Sequence, residues 1–227
     1  MRVLELFSGT QSVGRVARSI GWMTISVDID PTHNPTLIKD ILEFDERVWP
    51  TDYFQFIWAS PPCESYSRAR TNAKLDRDEA MLHADNLVTK TLQIISHFSK
   101  AHWCIENPAT SLLWGREVAR GLMEHSSITS YCSFGAPYRK NTRIASSFTL
   151  ALPHCAGIGK CPSMVGAMHK EWAQKGGGGA NGKYHSVDEL HSIPPNLVQS
   201  IFEQLLFKTC AEREREARGE RARARAL

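Results

Sequence analysis

No apolar stretch in this sequence approaches the roughly 18 residues that a membrane-crossing helix requires. Met1 runs straight into an apolar, strand-like segment with no signal-peptide pattern. Net charge is small, +3 over 227 residues, so electrostatics alone does not mark a nucleic-acid binder. Internal repeats are absent. The six cysteines follow no framework spacing, and a domain of this size needs no disulfide staples. Reduced thiols in an intracellular protein are therefore expected. A composition that is 42% hydrophobic and 22% charged excludes a disordered or fibrous chain and fits one globular domain with its own core.

What is present is an alternation. "RVLELF" reads as a buried strand closed by the turn "SGTQSVG". "SVGRVARSIGW" then places Val13, Val16, Ala17 and Ile20 at helical spacing, with Gly21 as the stop. "MTISVDID", "TLIKDI", "YFQFIWAS" and "HWCIEN" read as four further strands. A long helix is expected over 78–98, with Leu87, Val88, Thr91, Leu92, Ile95 and Phe98 on its core face. This order predicts an α/β domain with a mainly parallel sheet and helices on both its faces. Such sheets bind ligands at the carboxyl ends of their strands, and Gly9, Asp28, Asp40, Cys63 and Glu106 all fall there.

A strand, a glycine turn and a helix make a pocket suited to phosphate or carboxylate. An acid about 20 residues on, which Asp28 supplies, can grip ribose hydroxyls. Only Gly9 and Gly14 occupy the turn, so the fingerprint G-x-G-x-x-G is missing. That weakens a nicotinamide dinucleotide and leaves S-adenosylmethionine, which has no pyrophosphate, with Asp40 able to accept from the adenine amine. A turn glycine and two strand-end aspartates also occur in α/β domains of other kinds. Further on, Pro61 and Pro62 stiffen the loop from which Cys63 emerges. Cys63 can be a small buried hydrophobe, part of a Ser60-Pro61-Pro62 loop that methylates exocyclic amines, or a nucleophile. "CIENPA" favours the last, because it brings Glu106 and Asn107 to a neighbouring strand end. C5 of cytosine is a poor carbon nucleophile until something adds at C6, and a carboxyl group at N3 relieves the charge this addition creates.

In this order, "LELFSGTQS", "VDID", "KDI", "SPPCES", "ENP", "APYRKNTRI" and "LHSIPPNLVQSI" resemble the motifs of the cytosine-C5 DNA methyltransferases over roughly residues 1–150 and 185–207. The resemblance implies a Rossmann-like class I methyltransferase fold and a catalytic domain over 1–207. It implies that Cys63 adds to C6 of a flipped-out cytosine, with Glu106 at N3 and Asn107 beside it, and that Arg143 and Arg139 hold base or backbone near the cysteine. Phe7, Gly9, Thr10, Asp28, Ile29, Asp40, Ile41, Pro61, His191 and Ser192 would then form the S-adenosylmethionine pocket. Departures are Gln11 and Ser12 after the first turn, Glu64 after the cysteine, His191 in the final motif, and Pro108, which echoes small phage-like and mobile-element relatives. The expected setting is a prokaryotic cytoplasm, a nucleus, or a virus- or mobile-element-encoded protein. The expected partner is DNA, although the same base chemistry serves RNA. Two rivals remain: an amino-methyltransferase, which lacks its aromatic fourth position here, and a non-catalytic DNA-binding or regulatory subunit.

Family members carry a sizeable target-recognition domain between the last two motifs, whereas here a Cys-, His- and Gly-rich insertion over 150–185 takes its place. Short or relaxed sequence specificity, or recognition through a partner chain, is expected. Cys155, Cys161 and His169 stand at C-x5-C-x7-H, with His154 or Cys132 available as a fourth ligand. The set suits zinc, or else it is unligated thiols in a loop. In "GGGGANGKY", Gly177, Gly182 and Lys183 echo a phosphate loop, but Tyr184 replaces the required hydroxyl and no strand precedes it, so a flexible basic loop is expected. Arg68, Arg70, Lys74 and Arg77 form a basic cluster after the cysteine loop. The tail over 208–227 reads as a frayed helix or as disordered, with enough glutamate to pair its arginines at i,i+4.

Overall fold

The computed structural model of the chain describes residues 1–67, 74–174 and 178–224. Its elements are β1 (Arg2–Leu6), α1 (Ser12–Ser19), β2 (Met23–Asp28), β3 (Leu37–Ile38), β4 (Phe56–Ala59), α2 (Lys74–His97) and β5 (His102–Pro108), followed by β6 (Ser126–Ser130) and β7 (Asn141–Ser146). A small hairpin, β8 (Met164–Val165) and β9 (Met168–His169), precedes α3 (Val187–His191) and α4 (Pro195–Ala224). The main sheet runs β3-β2-β1-β4-β5-β7-β6. Its first five members are parallel to one another, and β7 lies antiparallel to both β5 and β6. This is the expected α/β architecture with an antiparallel edge.

Strand side chains alternate between faces, and the two cores follow that period of two. Leu4, Leu6, Ile57, Ala59 and Ile105 pack against Ala84, Leu87, Val88, Ile94 and Phe98 on one side. Val3, Phe56, Trp58, Cys104 and Ile144 pack against Val13 and Ala17 of α1 and against Leu197, Val198, Ile201, Phe202 and Leu205 of α4 on the other. Helices therefore cover both faces. Ile94, not expected at the core, is fully buried, while Leu92 and Ile95 are only partly so.

Three expectations change. The strands β6 and β7 were not legible, because their buried side chains include Thr129, Ser130, Thr142 and Ser146, whose hydroxyls make hydrogen bonds instead of forming an apolar stripe. Ser146 Oγ, for example, donates to the Phe148 carbonyl at 2.6 Å. The segment before Asp40 contributes only the two residues of β3. The C-terminal region continues α4 through Ala224, and Glu212 ties it down by accepting from His102 Nε2 at 3.1 Å and pairing with Lys208 at 3.3 Å. Arg68, Arg70 and Gly177 lie outside the described residues, as does the side chain of Lys74. Lys183 ion-pairs with Glu189 at 3.2 Å. Among the described residues no helix is long and apolar enough to cross a membrane.

Candidate active site

After β1 the chain turns sharply, with Phe7 (φ 54°), Gly9 (φ 42°) and Gln11 (φ 54°) all in the left-handed region. For Phe7 and Gln11 that conformation costs on the order of 1–2 kcal/mol each. The turn is held from the end of β2: Gly9 N–H donates to Asp28 Oδ2 at 2.7 Å, and Asp30 N–H donates to Asp28 Oδ1 at 2.9 Å. Asp40 accepts from the Leu42 amide at 2.9 Å and starts a short 3-10 turn over Ile41–Glu43, in which Ile41 is buried. Ile29, just after β2, presents an apolar side chain that is 67% exposed.

The N-terminus of α1 is capped from the strand beneath it. Glu5 accepts from Val13 N–H at 3.0 Å and Gly14 N–H at 2.9 Å. Burial pushes the Glu5 carboxyl up to about 7, although both amides, Arg18 and Arg15 favour its ionised form. The final motif closes over the same turn: Ser192 Oγ donates to Thr10 Oγ1 at 3.1 Å, and Ile193 N–H donates to Ser12 Oγ at 3.1 Å. His191 is exposed at the end of α3. Ser8 Oγ is buried beside this turn without a hydrogen-bond partner.

The Pro-Pro-Cys loop leaves β4 alongside β5, where Ala59 pairs with Ile105. Asn107, fully buried, donates through Nδ2 to the carbonyl of Pro61 at 2.8 Å and fixes the loop just before the cysteine. On the far side Tyr66 N–H donates to the Cys63 carbonyl at 3.1 Å, and the Tyr66 hydroxyl donates to Asp85 at 2.8 Å. Cys63 is half-buried. Burial first, then the negative charge of Glu106, push its thiol above the ordinary range, while the cation of Lys140 pulls it back. Glu106 is buried and accepts a hydrogen bond from Thr142 Oγ1 of β7. Tyr131, also buried, turns its hydroxyl toward Glu106 without closing a bond of good geometry. Lys140 Nζ lies 5.0 Å from the Tyr131 ring centre and donates to the Leu190 carbonyl at 2.6 Å. Both the Tyr131 hydroxyl and Asn107 Oδ1 are buried without partners. Unpaired buried polar atoms are costly, so a polar guest between Cys63 and Glu106 would be stabilised by the Tyr131 hydroxyl, which lies near both.

The structure thus brings Cys63, Glu106 and Asn107 near one another, with the Gly9 turn and the acids Asp28 and Asp40 also at the carboxyl ends of parallel strands. It places Arg143 elsewhere: on β7 it points to the opposite face from Thr142, donates to Ser126 Oγ at 2.9 Å and lies 5.6 Å from the Trp114 ring centre. Arg139 is exposed, and its charge bears on Cys155 and His169. Lys140, Tyr131, Thr142 and Glu5 were missed as site residues. Two had a visible signal: Glu5 as the lone acid in β1, and Lys140 as a member of the basic cluster with Arg139 and Arg143.

A second cluster lies behind this wall. The ligand atoms of Cys132, Cys155, Cys161 and His169 all fall within 4.8 Å of one another. His154 is exposed and outside the group; Cys132, the residue after Tyr131, completes it.

No protein-family model matches the chain. A probable DNA (cytosine-5)-methyltransferase of Frog virus 3 (isolate Goorha) is 28% identical over 223 residues, covering 89% of this chain and 99% of that protein. Among solved structures, the Entamoeba histolytica methyltransferase EhMeth is similar with a TM-score of 0.50 at 18% identity, over 68% of this chain and 56% of its own. The S. pombe Dnmt2 methyltransferase gives a TM-score of 0.46 at 18% identity, over 64% and 50%. The chain therefore spans about half the length of these solved structures. The EhMeth likeness bears on the fold, which agrees with a Rossmann-like methyltransferase domain.

Proposed function

We propose that this chain, a relative of the cytosine-C5 methyltransferases, transfers a methyl group from S-adenosylmethionine to C5 of cytosine in DNA. One observation carries the reading: at the ends of two adjacent parallel strands a half-buried thiol lies close enough to a buried carboxyl group to feel its charge, and Asp28 grips the Gly9 turn nearby. A thiol and a carboxylate oppose each other's ionisation, which suits a site whose guest needs both. Cys63 Sγ, as thiolate, adds to C6 while Glu106, carrying a proton when the base is bound, gives it to N3; the charge pushed onto the ring is thereby neutralised and C5 becomes nucleophilic. C5 takes the methyl group, releasing S-adenosylhomocysteine, then gives its proton to water; Cys63 leaves as thiolate when the C5–C6 double bond reforms, and the N3 proton returns to Glu106. Lys140 favours the thiolate at the start and end of that cycle. Asp28 would take the ribose, Asp40 the adenine amine and Ile29 the adenine face, with Ser192 and Thr10 closing the lid.

In this reading zinc is the ion suited to the four Cys and His donors, and the six free cysteines suit a reducing intracellular setting. The short insertion favours relaxed target choice or a partner chain that supplies specificity. The deciding experiment offers the chain DNA containing 5-fluorocytosine, together with S-adenosylmethionine. A covalent protein–DNA complex is expected from wild type and none from Cys63→Ser, which should still bind the cofactor. A complex formed by Cys63→Ser would remove the nucleophile assignment. Adduct formation on 5-fluorocytosine RNA alone would transfer the activity to RNA.

A further inference from the structure

The insertion between Leu150 and α3 has almost no core. Among its described residues from 151 to 185 the buried ones are Cys161, Ser163, Glu171 and His185, and no aliphatic or aromatic side chain stands among them. A segment that buries so little apolar surface cannot hold one conformation by packing alone. It is nonetheless docked: Ser163 Oγ donates to the Ala136 carbonyl at 2.7 Å, and Glu171 N–H donates to the Pro137 carbonyl at 3.1 Å. Four soft donors converge at the same junction. His169 Nε2 lies 3.4 Å from Cys155 Sγ and 3.8 Å from Cys161 Sγ. Tetrahedral zinc with bonds of about 2.3 Å to sulfur and about 2.05 Å to nitrogen sets its ligands about 3.8 Å (S to S) and about 3.5 Å (S to N) apart. The cluster is therefore close to the size a zinc ion needs.

We propose that Cys132, Cys155, Cys161 and His169 bind one zinc ion, and that this ion fastens the insertion to the wall of the cytosine pocket. The second half rests on the methyltransferase reading. Cys132 follows Tyr131 in one short 3-10 turn, Tyr131–Phe134. That turn ends at Gly135 (φ 92°), whose left-handed backbone lets the chain fold back toward the insertion. Tyr131 faces Glu106, and Lys140 covers its ring. Three of the four ligands come from the insertion or its hairpin, and the fourth comes from the residue next to the group that lines the catalytic carboxylate. One zinc with three thiolates and a neutral imidazole carries a net charge of −1, and Arg139 supplies an opposing charge beside Cys155 and His169. All four ligand positions are filled by protein, the pattern of a structural centre with no open coordination site. The ion thus replaces the missing hydrophobic core of the insertion and positions Tyr131 and Lys140 without touching substrate.

The test begins with the metal content of the purified full chain after exhaustive dialysis, where one zinc per chain is expected. Cys155→Ser and Cys161→Ser should each lower it below about a tenth of an equivalent. Replacement by cobalt should give a thiolate-to-cobalt charge-transfer band that weakens with each cysteine removed. Stripping the ion with a chelator should cut 5-fluorocytosine adduct formation by about tenfold or more, leave S-adenosylmethionine binding intact, and be reversed by added zinc. A dialysed wild-type chain that binds S-adenosylmethionine but holds less than a tenth of an equivalent of zinc overturns the site, as does a disulfide among these cysteines in active protein. Undiminished adduct formation after stripping overturns the positioning role. A chain that holds one zinc and forms no adduct overturns the methyl-transfer reading and leaves the zinc site standing.

Discussion

Glu5 is an acid at the centre of the sheet, 2% exposed, whose two oxygens cap the first turn of α1. Two effects oppose each other there. The helix N-terminus and its two amide donors favour carboxylate; burial favours the neutral acid and is the larger, lifting the carboxyl from 4.5 to about 7. Between those two values the folded chain keeps a proton that the unfolded chain has released. The stabilisation this proton represents is complete below about pH 4.5 and is lost as pH rises through about 7. At about 1.36 kcal/mol per decade the full span is worth about 3 kcal/mol, and about 2–3 kcal/mol of it falls between pH 5 and pH 8. Glu5→Gln removes the titration and keeps the shape. Its amide accepts from only one of the two helix N–H groups, which costs on the order of 1 kcal/mol at every pH. Urea unfolding of both proteins across this range, compared as a difference, cancels every other titrating group. Wild type should lose about 2–3 kcal/mol relative to Glu5→Gln on going from pH 5 to pH 8. A difference that does not change with pH would mean that the carboxylate is already ionised in the fold and that the helix terminus outweighs burial.

Asn107→Ala leaves the Pro61 carbonyl, at a buried residue, without its donor, which should lower stability by about 1–3 kcal/mol and slow adduct formation with little change in cofactor affinity. A thermal midpoint equal to wild type would show that another group takes over the carbonyl. Asp28→Ala removes both the proposed ribose contact and the brace on Gly9 N–H, so calorimetry should find S-adenosylmethionine bound more weakly by about 1–3 kcal/mol. Unchanged affinity would move the ribose contact to another residue.

The parallel half of the sheet was legible because its strands are apolar and end in proline, glycine or aspartate. Cys63 and Glu106 could be paired across a gap in sequence because β4 and β5 each end in such a signal. The antiparallel edge was not, and the reason is chemical. Strands β6 and β7 bury hydroxyl groups whose partners lie mostly elsewhere in the chain, such as the Pro153 carbonyl that accepts from Thr129, so no hydrophobic period betrays them. Register across that edge also decides where the basic residues go. Pairing Glu106 with Ile144 puts Thr142 on the carboxylate's face and Arg143 on the other. A slip of one residue would have reversed that assignment, and the sequence carries no local mark that selects between the two. Lys140 escaped for a related reason: its charge acts on Cys63 only because the turn from Tyr131 folds back beneath it.

The same dependence on distant partners governs the turn after β1. That turn adopts three left-handed residues, two of them not glycine, and such strain persists only where surrounding structure imposes it. The local constraints come from Asp28 and Glu5, but the outer ones come from Ser192 and Ile193, 182 and 181 residues further along. Closing a loop of that length is entropically costly, and α4 offsets it by burying Leu197, Val198, Ile201, Phe202 and Leu205 against the sheet. Helix α4 therefore helps to hold the Gly9 turn, through the segment that precedes it. Loss of the apolar face of α4 would release Ser192 and Ile193 from Thr10 and Ser12, and with them the turn that Gly9 depends on. Cofactor affinity in this chain should accordingly track the docking of its last helix as closely as it tracks the residues around the ribose.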